Sequence, residues 1–305
     1  MKHLMPFIFL LGFFSFAQEK NYTQTDLSIS KWIDGSLMEP TTPSDVLAII
    51  IGGSGPTDRD GNQNFLKTNN LKKLAIALAA NGISSFRYDK RIVKQIKMKA
   101  IDPNIKFDDF VTDAQDVVNY FYKQKKYKKI VLIGHSQGSL IGMLASSEHV
   151  DAFISIAGAG QSIDEVIIEQ VQKTAPMFTE ETKRIFDILR SGNTTTDYPP
   201  ALASIFNTDI QEFMMNWMKY DPAETLKTLK MPILIINGTK DLQVETSEAT
   251  RLKEANADAQ LKIIDKMNHV LFIIEGDAQE NAKSYNDHNG KISDELVNTI
   301  VDFIK

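Results

Sequence analysis

Residues 129–139 read Lys-Lys-Ile-Val-Leu-Ile-Gly-His-Ser-Gln-Gly, and this stretch restricts the possible fold more than any other. Ile130, Val131, Leu132 and Ile133 form the short apolar run of a strand covered on both faces, and Ser139 to Ala145 continues with helical character. The pentapeptide Gly134 to Gly138 must therefore turn a buried strand sharply into a helix. Such a turn strains the backbone at Ser136 and brings neighbouring backbone close, which small residues on either side permit. Three fixed positions alone recur by chance in roughly one chain in ten of this length, so the flanking strand and helix carry the reading.

The rest of the chain alternates in the same way. A hairpin is expected over Leu27 to Met38 around Asp34-Gly35, with further strands at Asp45–Ile51, Ile83–Tyr88, Ile130–Ile133, Ala152–Ile156, Ile233–Ile236 and Leu261–Ile264. Helical patterns fall near residues 69–80, 107–124, 137–148, 244–256 and 293–304. Strands alternating with helices predict an α/β fold with a mostly parallel central sheet flanked by helices. Residues 161–229 break the alternation, with several helical patterns and no convincing strand. Within this insertion, Met214, Trp217 and Met218 belong to a Met and aromatic stripe that either packs the interior or roofs a pocket, methionine being adaptable to varied apolar shapes.

A serine hydroxyl is a poor nucleophile near neutral pH and needs a histidine base, usually oriented by a carboxylate. The chain has five histidines. His3 lies at the N-terminus, His135 adjoins Ser136 with its side chain expected to point away, and His149 closes the following helix. His269 and His288 remain. His269 follows the strand-like Gln260–Ile264, as a residue at a strand's C-terminal end should, whereas His288 sits in the turn-rich Asn286-Asp287-His288-Asn289-Gly290. His269 is the favoured base. Asp241, after the strand Ile233–Ile236 and a Gly turn, is the favoured acid; Asp265, four residues before His269, would have to fold back on its own loop.

Taken in order, Gly-His-Ser-Gln-Gly, Gly-Thr-Lys-Asp-Leu-Gln-Val and Met-Asn-His-Val-Leu resemble the motifs of the α/β-hydrolase superfamily over roughly residues 28–305. Ile49 to Asn62 is similar to a loop of exported bacterial carboxylesterases described as serine aminopeptidase-like hydrolases. The resemblance implies an α/β-hydrolase core, residues 18–160 and 230–305, with a helical cap at 161–229. It implies a Ser136-Asp241-His269 triad and an oxyanion hole formed by the backbone N–H of Gln137 with that of Gly53 or Ser54. Gly52 stands where the family's His-Gly-X-Gly loop has histidine, and Phe86-Arg87-Tyr88-Asp89-Lys90-Arg91 lacks the family's trailing Gly-x-Gly.

The implied reaction is two-step acyl transfer from a small-molecule ester with short acyl groups, with no cofactor and no metal. An aminopeptidase-like amidase, which needs an acidic group for the substrate amine, and a silent hydrolase-fold binding protein are the alternatives. Arg59, in Asp58-Arg59-Asp60-Gly61-Asn62, either pairs with a carboxylate to hold its loop or contacts substrate; the Asp-x-Asp-Gly run lacks the later ligands of a calcium loop.

Met1-Lys2-His3, the apolar Leu4–Phe16 and the small residues Ser15 and Ala17 predict a signal peptide over residues 1–17 and an exported protein, periplasmic or secreted. A net charge of −5 gives no basic surface for nucleic acid, and the absence of cysteine excludes disulfides and thiolate chemistry. No stable membrane insertion is expected after cleavage of so short an apolar segment.

Overall fold

The computed structural model describes residues 21–305, so the expected signal peptide lies outside the described residues. Among the described residues eight strands form one sheet in the order β1-β2-β4-β3-β5-β6-β7-β8: β1 (Tyr22–Ser28), β2 (Asp34–Pro40), β3 (Val46–Ile51), β4 (Ser84–Tyr88), β5 (Lys129–His135), β6 (Ala152–Ile156), β7 (Ile233–Gly238) and β8 (Gln260–Ile264). β2 pairs antiparallel with β1 and β4, and every other pairing is parallel.

Side chains of a strand alternate between sheet faces, and here both faces are covered. Leu47, Ile49, Ile51, Ile130 and Leu132 enter one apolar cluster, while Ala48, Ile50, Val131 and Ile133 enter the other. The first cluster is closed by α3 (Phe107–Gln124), α4 (Gln137–Ala145) and α10 (Thr246–Ala255), the second by α1 (Asn70–Ala80) and α12 (Asp294–Ile304). This explains why the central strands read as continuous Ile/Val/Leu runs.

Two short helices, α2 (Arg91–Lys97) and α11 (Ala278–Ser284), go beyond those expected from periodicity; each spans about two turns, too few for a pattern to declare itself. The first hairpin turns over residues 29–33, not at Asp34-Gly35, which opens β2 and pairs with Leu27 and Ser28. Gly35 serves packing: a Cβ there would lie 2.2 Å from the Phe86 ring. The helix expected to reach residue 148 ends at Ala145, since Ser146 is extended and its hydroxyl donates to the Gly142 carbonyl at 2.8 Å.

Between β6 and β7 lie α5 (Ile163–Thr174), α6 (Thr179–Arg190), α7 (Ala203–Phe206), α8 (Thr208–Trp217) and α9 (Pro222–Thr228). Ile168, Ile185, Phe186, Leu189, Leu202, Phe206 and Met214 form a third apolar cluster among them. Leu226 and Leu229 instead join the sheet-side core.

Candidate active site

Ser136 sits between β5 and α4 at φ 55° and ψ −124°, a region that side-chain-bearing residues rarely occupy. The strain is held from outside the turn, with the Ser136 N–H donating to the Ile156 carbonyl of the neighbouring strand at 2.9 Å. The flanking glycines are obligatory on space alone. A Cβ at Gly134 would lie 2.3 Å from the Gly138 carbonyl oxygen, and one at Gly138 would lie 2.3 Å from that of Ile51.

The adjacent strands β7 and β8 supply the acid and the imidazole. The Asp241 Oδ1 accepts the N–H groups of Gln243 and Val244 at 2.8 and 2.9 Å, and its Oδ2 lies 2.8 Å from His269 Nδ1. Those two backbone bonds fix the carboxylate's orientation, and both side chains are almost wholly removed from solvent. Gly238 lets the two loops approach, because a Cβ there would come within 2.0 Å of the Met267 carbonyl oxygen. Asp265 is exposed and accepts the Thr239 hydroxyl at 3.0 Å, while exposed His288 only offers its carbonyl to Lys73.

Asn268 pins the His269 loop to α11, its amide nitrogen donating to Asn281 Oδ1 and Ser284 Oγ. His135 adds a second tether that sequence reasoning missed. Its Nε2 lies 2.8 Å from the His269 carbonyl oxygen. Burial, followed by the neighbouring His269, pushes its pKa down to about 4, so the ring is neutral near pH 7 and its Nε2–H donates to that carbonyl. The motif carried no sign of this, since the contact joins residues 134 positions apart.

Ser136 and His269 line one cavity of about 80 Å³, without a hydrogen bond between them. Ser136 also opens, with Ser54 and Gln137, onto a second cavity of about 180 Å³ beneath the inserted helices. Its walls include Leu140, Ile163, Val166, Trp217, Pro222 and, besides Gln137, three further glutamines, Gln161, Gln170 and Gln243, with no carboxylate. Of the three insertion residues considered for the pocket, only Trp217 lines it. Met214 is buried among the insertion helices and Met218 lines a separate cavity. Trp217 instead stacks on Phe107 of α3 with ring centres 5.4 Å apart, and its neighbour Met218 lies about 100° further round the helical turn. A larger cavity of about 630 Å³, between Phe272–Ile274 and residues 277–294, holds none of these groups.

Gly53 and Ser54 follow β3 and reach the serine, the Cβ position of Gly53 being 3.3 Å from Ser136 Cβ. Their loop is braced by charge. Arg59 forks onto Asp89 at 3.2 and 2.9 Å, while its backbone N–H also reaches that carboxylate. Asp58 Oδ1 accepts the N–H groups of Asp60 and Asn62, and Asp60 receives buried Arg87 at 3.0 Å. Arg59 therefore holds the loop and does not face the Ser136 cavities.

A family model described as Serine aminopeptidase, S33 matches residues 67–199, a segment holding Ser136 but neither Asp241 nor His269. Esterase EstD of Thermotoga maritima is 25% identical over 273 residues, or 86% of this chain, and the chain spans only 63% of that protein's length. Among solved structures, Est1E from Butyrivibrio proteoclasticus gives a TM-score of 0.56 at 14% identity over 92% of this chain and 98% of that one. The Pyrococcus furiosus esterase Pf2001 gives 0.57 at 15% identity, over 94% and 90%. With the sheet order above, these likenesses establish the α/β-hydrolase fold for this chain.

Proposed function

We propose that the protein is a serine hydrolase that cleaves short-chain carboxylic esters through an acyl-enzyme. The observation that carries this reading is the Asp241–His269 pair, 2.8 Å apart and shielded from solvent, opening onto the cavity that also holds the strained Ser136. Likeness to named esterases supports it. His269 takes the Ser136 proton as the hydroxyl attacks the ester carbonyl, and Asp241 holds the imidazole tautomer and steadies its charged form. Backbone N–H groups of Gln137 and Ser54, with Gly53 beside them, receive the oxyanion. His269 gives the Ser136 proton to the alkoxide as the ester C–O bond breaks, so the alcohol departs and the acyl group stays on Ser136; the freed imidazole then takes a proton from water, which attacks the acyl carbonyl, and returns it to Ser136 Oγ as the acid leaves. The missing Ser136–His269 hydrogen bond forms with substrate in place, such contacts commonly being long in empty sites.

The cavity beneath the insertion, about 180 Å³, is smaller than the roughly 300–1,000 Å³ that encloses drug-sized ligands, which favours short acyl groups. In this reading residues 161–229 act as the cap, residues 18–160 and 230–305 as the catalytic core, and residues 1–17 direct export. No helix among the described residues is long and apolar enough to cross a membrane. An aminopeptidase-like activity fits less well, because the cavity walls offer a free amine four glutamines and no carboxylate.

The test is turnover of p-nitrophenyl acetate, butyrate and octanoate by the protein lacking residues 1–17, beside Ser136→Ala. Hydrolysis of the shorter esters that vanishes in the variant is the expected result. Equal inactivity of both proteins on esters, with cleavage of aminoacyl amides, would replace the esterase by the amidase.

A further inference from the structure

A lysine is buried against both segments that supply the oxyanion hole. Lys90, just after β4, is 3% exposed. Its ammonium donates to the Gly53 carbonyl oxygen at 2.8 Å and to the side-chain oxygen of Gln137, and it lies 4.4 Å from the centre of the Phe110 ring. None of these partners is anionic. The charged group whose field reaches it is Asp113 on α3, which is already forked by Arg91 at 2.8 and 2.7 Å. Burial of a cation among neutral acceptors is costly, and packing alone would be served by a shorter apolar side chain.

The geometry points to Lys90 as a positioning residue that sets the oxyanion hole and places a positive charge behind it. This inference rests on the ester-hydrolase reading above. In a trans peptide the C=O and the following N–H point in opposite directions. Holding the Gly53 carbonyl on Lys90 therefore turns the Ser54 N–H away from the lysine, towards the cavity that Ser54 shares with Ser136. Among the described residues that N–H has no acceptor. The second contact holds the side chain of Gln137, the first residue of α4, whose N–H has no intrahelical acceptor. One ammonium thus ties together the two segments whose N–H groups must converge on the same oxygen. Its charge stabilises the oxyanion more than the neutral ester, so it acts on the transition state and leaves ground-state binding nearly unchanged.

Burial also lowers the Lys90 pKa to about 7, with Asp113 opposing that shift. A decline in turnover above neutral pH follows, as the charge is lost.

The experiment measures kcat and KM for p-nitrophenyl butyrate from pH 6 to 9 in wild type, Lys90→Met and Ser136→Ala, with circular dichroism of each. Lys90→Met is expected to keep KM within about twofold, to lose ten- to a hundredfold in kcat, and to lack the decline at high pH that wild type shows. Wild-type kcat retained in folded Lys90→Met, or identical pH profiles in the two proteins, overturns the inference while Ser136-dependent turnover still upholds the reading beneath it. Wild-type turnover that survives in Ser136→Ala overturns both. Should Lys90→Met fail to fold, Gln137→Met cuts the clamp from its other end and is expected to show the same selective loss in kcat; an unchanged kcat there, with no high-pH decline in wild type, overturns the inference equally.

Discussion

The strand-end site and the inserted helices solve different problems with different residues. At the C-terminal ends of β5, β7 and β8, close approach of backbone leaves almost no freedom: Gly134, Gly138 and Gly238 each stand where a Cβ would overlap a neighbouring carbonyl. The insertion between β6 and β7 packs a small apolar cluster of its own and offers Ser136 a wall of Trp217, aliphatic side chains and glutamines. In the proposed esterase, chemistry is set where geometry is over-determined, and substrate choice where side chains can vary. Substitutions in the first region should therefore abolish turnover or folding, and those in the second should alter preference.

The largest effect expected is that of Ser136→Ala or His269→Ala, each lowering kcat by about a thousand- to a millionfold, measured by p-nitrophenyl butyrate turnover with the fold checked by circular dichroism. Asp241→Asn comes next. It keeps the bonds from Gln243 and Val244 through Oδ1 but offers His269 an amide, so a loss of around ten-thousandfold in kcat at unchanged thermal stability is expected. Gly138→Ala would sharpen the contrast from the folding side: its methyl must displace the β3 backbone at Ile51, and a fall in Tm together with lost turnover is the expected outcome.

Trp217→Ala should behave differently, leaving Tm within a few degrees while moving the preference towards longer acyl chains, read as the ratio of kcat/KM for octanoate to that for butyrate. The smallest effect concerns acid stability. His135 stays unprotonated in the fold down to about pH 4, against 6.5 for a free histidine. Between those values the unfolded chain binds a proton that the folded chain does not, so the contribution is full above pH 6.5 and is lost as pH falls towards 4. His135→Gln, whose amide nitrogen reaches the place of Nε2 and keeps a donor for the His269 carbonyl, should lose less stability than wild type between pH 7 and pH 4.5 in thermal unfolding.

The two regions also differ in how far the sequence exposes them. Ile130–Ile133 running into Gly134-His135-Ser136-Gln137-Gly138 is legible because strand, turn and helix are local patterns, and the parallel order of β3 to β8 follows from their alternation with helices. Asp241 and His269 are legible as residues just beyond strands. Lys90 and His135 are not, because what distinguishes them is contact with Gly53, Gln137 and the His269 carbonyl across long stretches of chain. Periodicity could not say which side of the Met and aromatic stripe faces the serine, and Trp217 alone does so. Asp34-Gly35, a strong turn signal, lies in a strand because Phe86 needs the room.

In the proposed mechanism Ser136 carries the acyl group between two half-reactions driven by His269. Mass spectrometry of the protein quenched in acid during p-nitrophenyl butyrate turnover tests it most directly. A butyryl adduct confined to the peptide containing Ser136, and absent from Ser136→Ala, is the expected result. An adduct on another residue, or steady hydrolysis in Ser136→Ala, would contradict it.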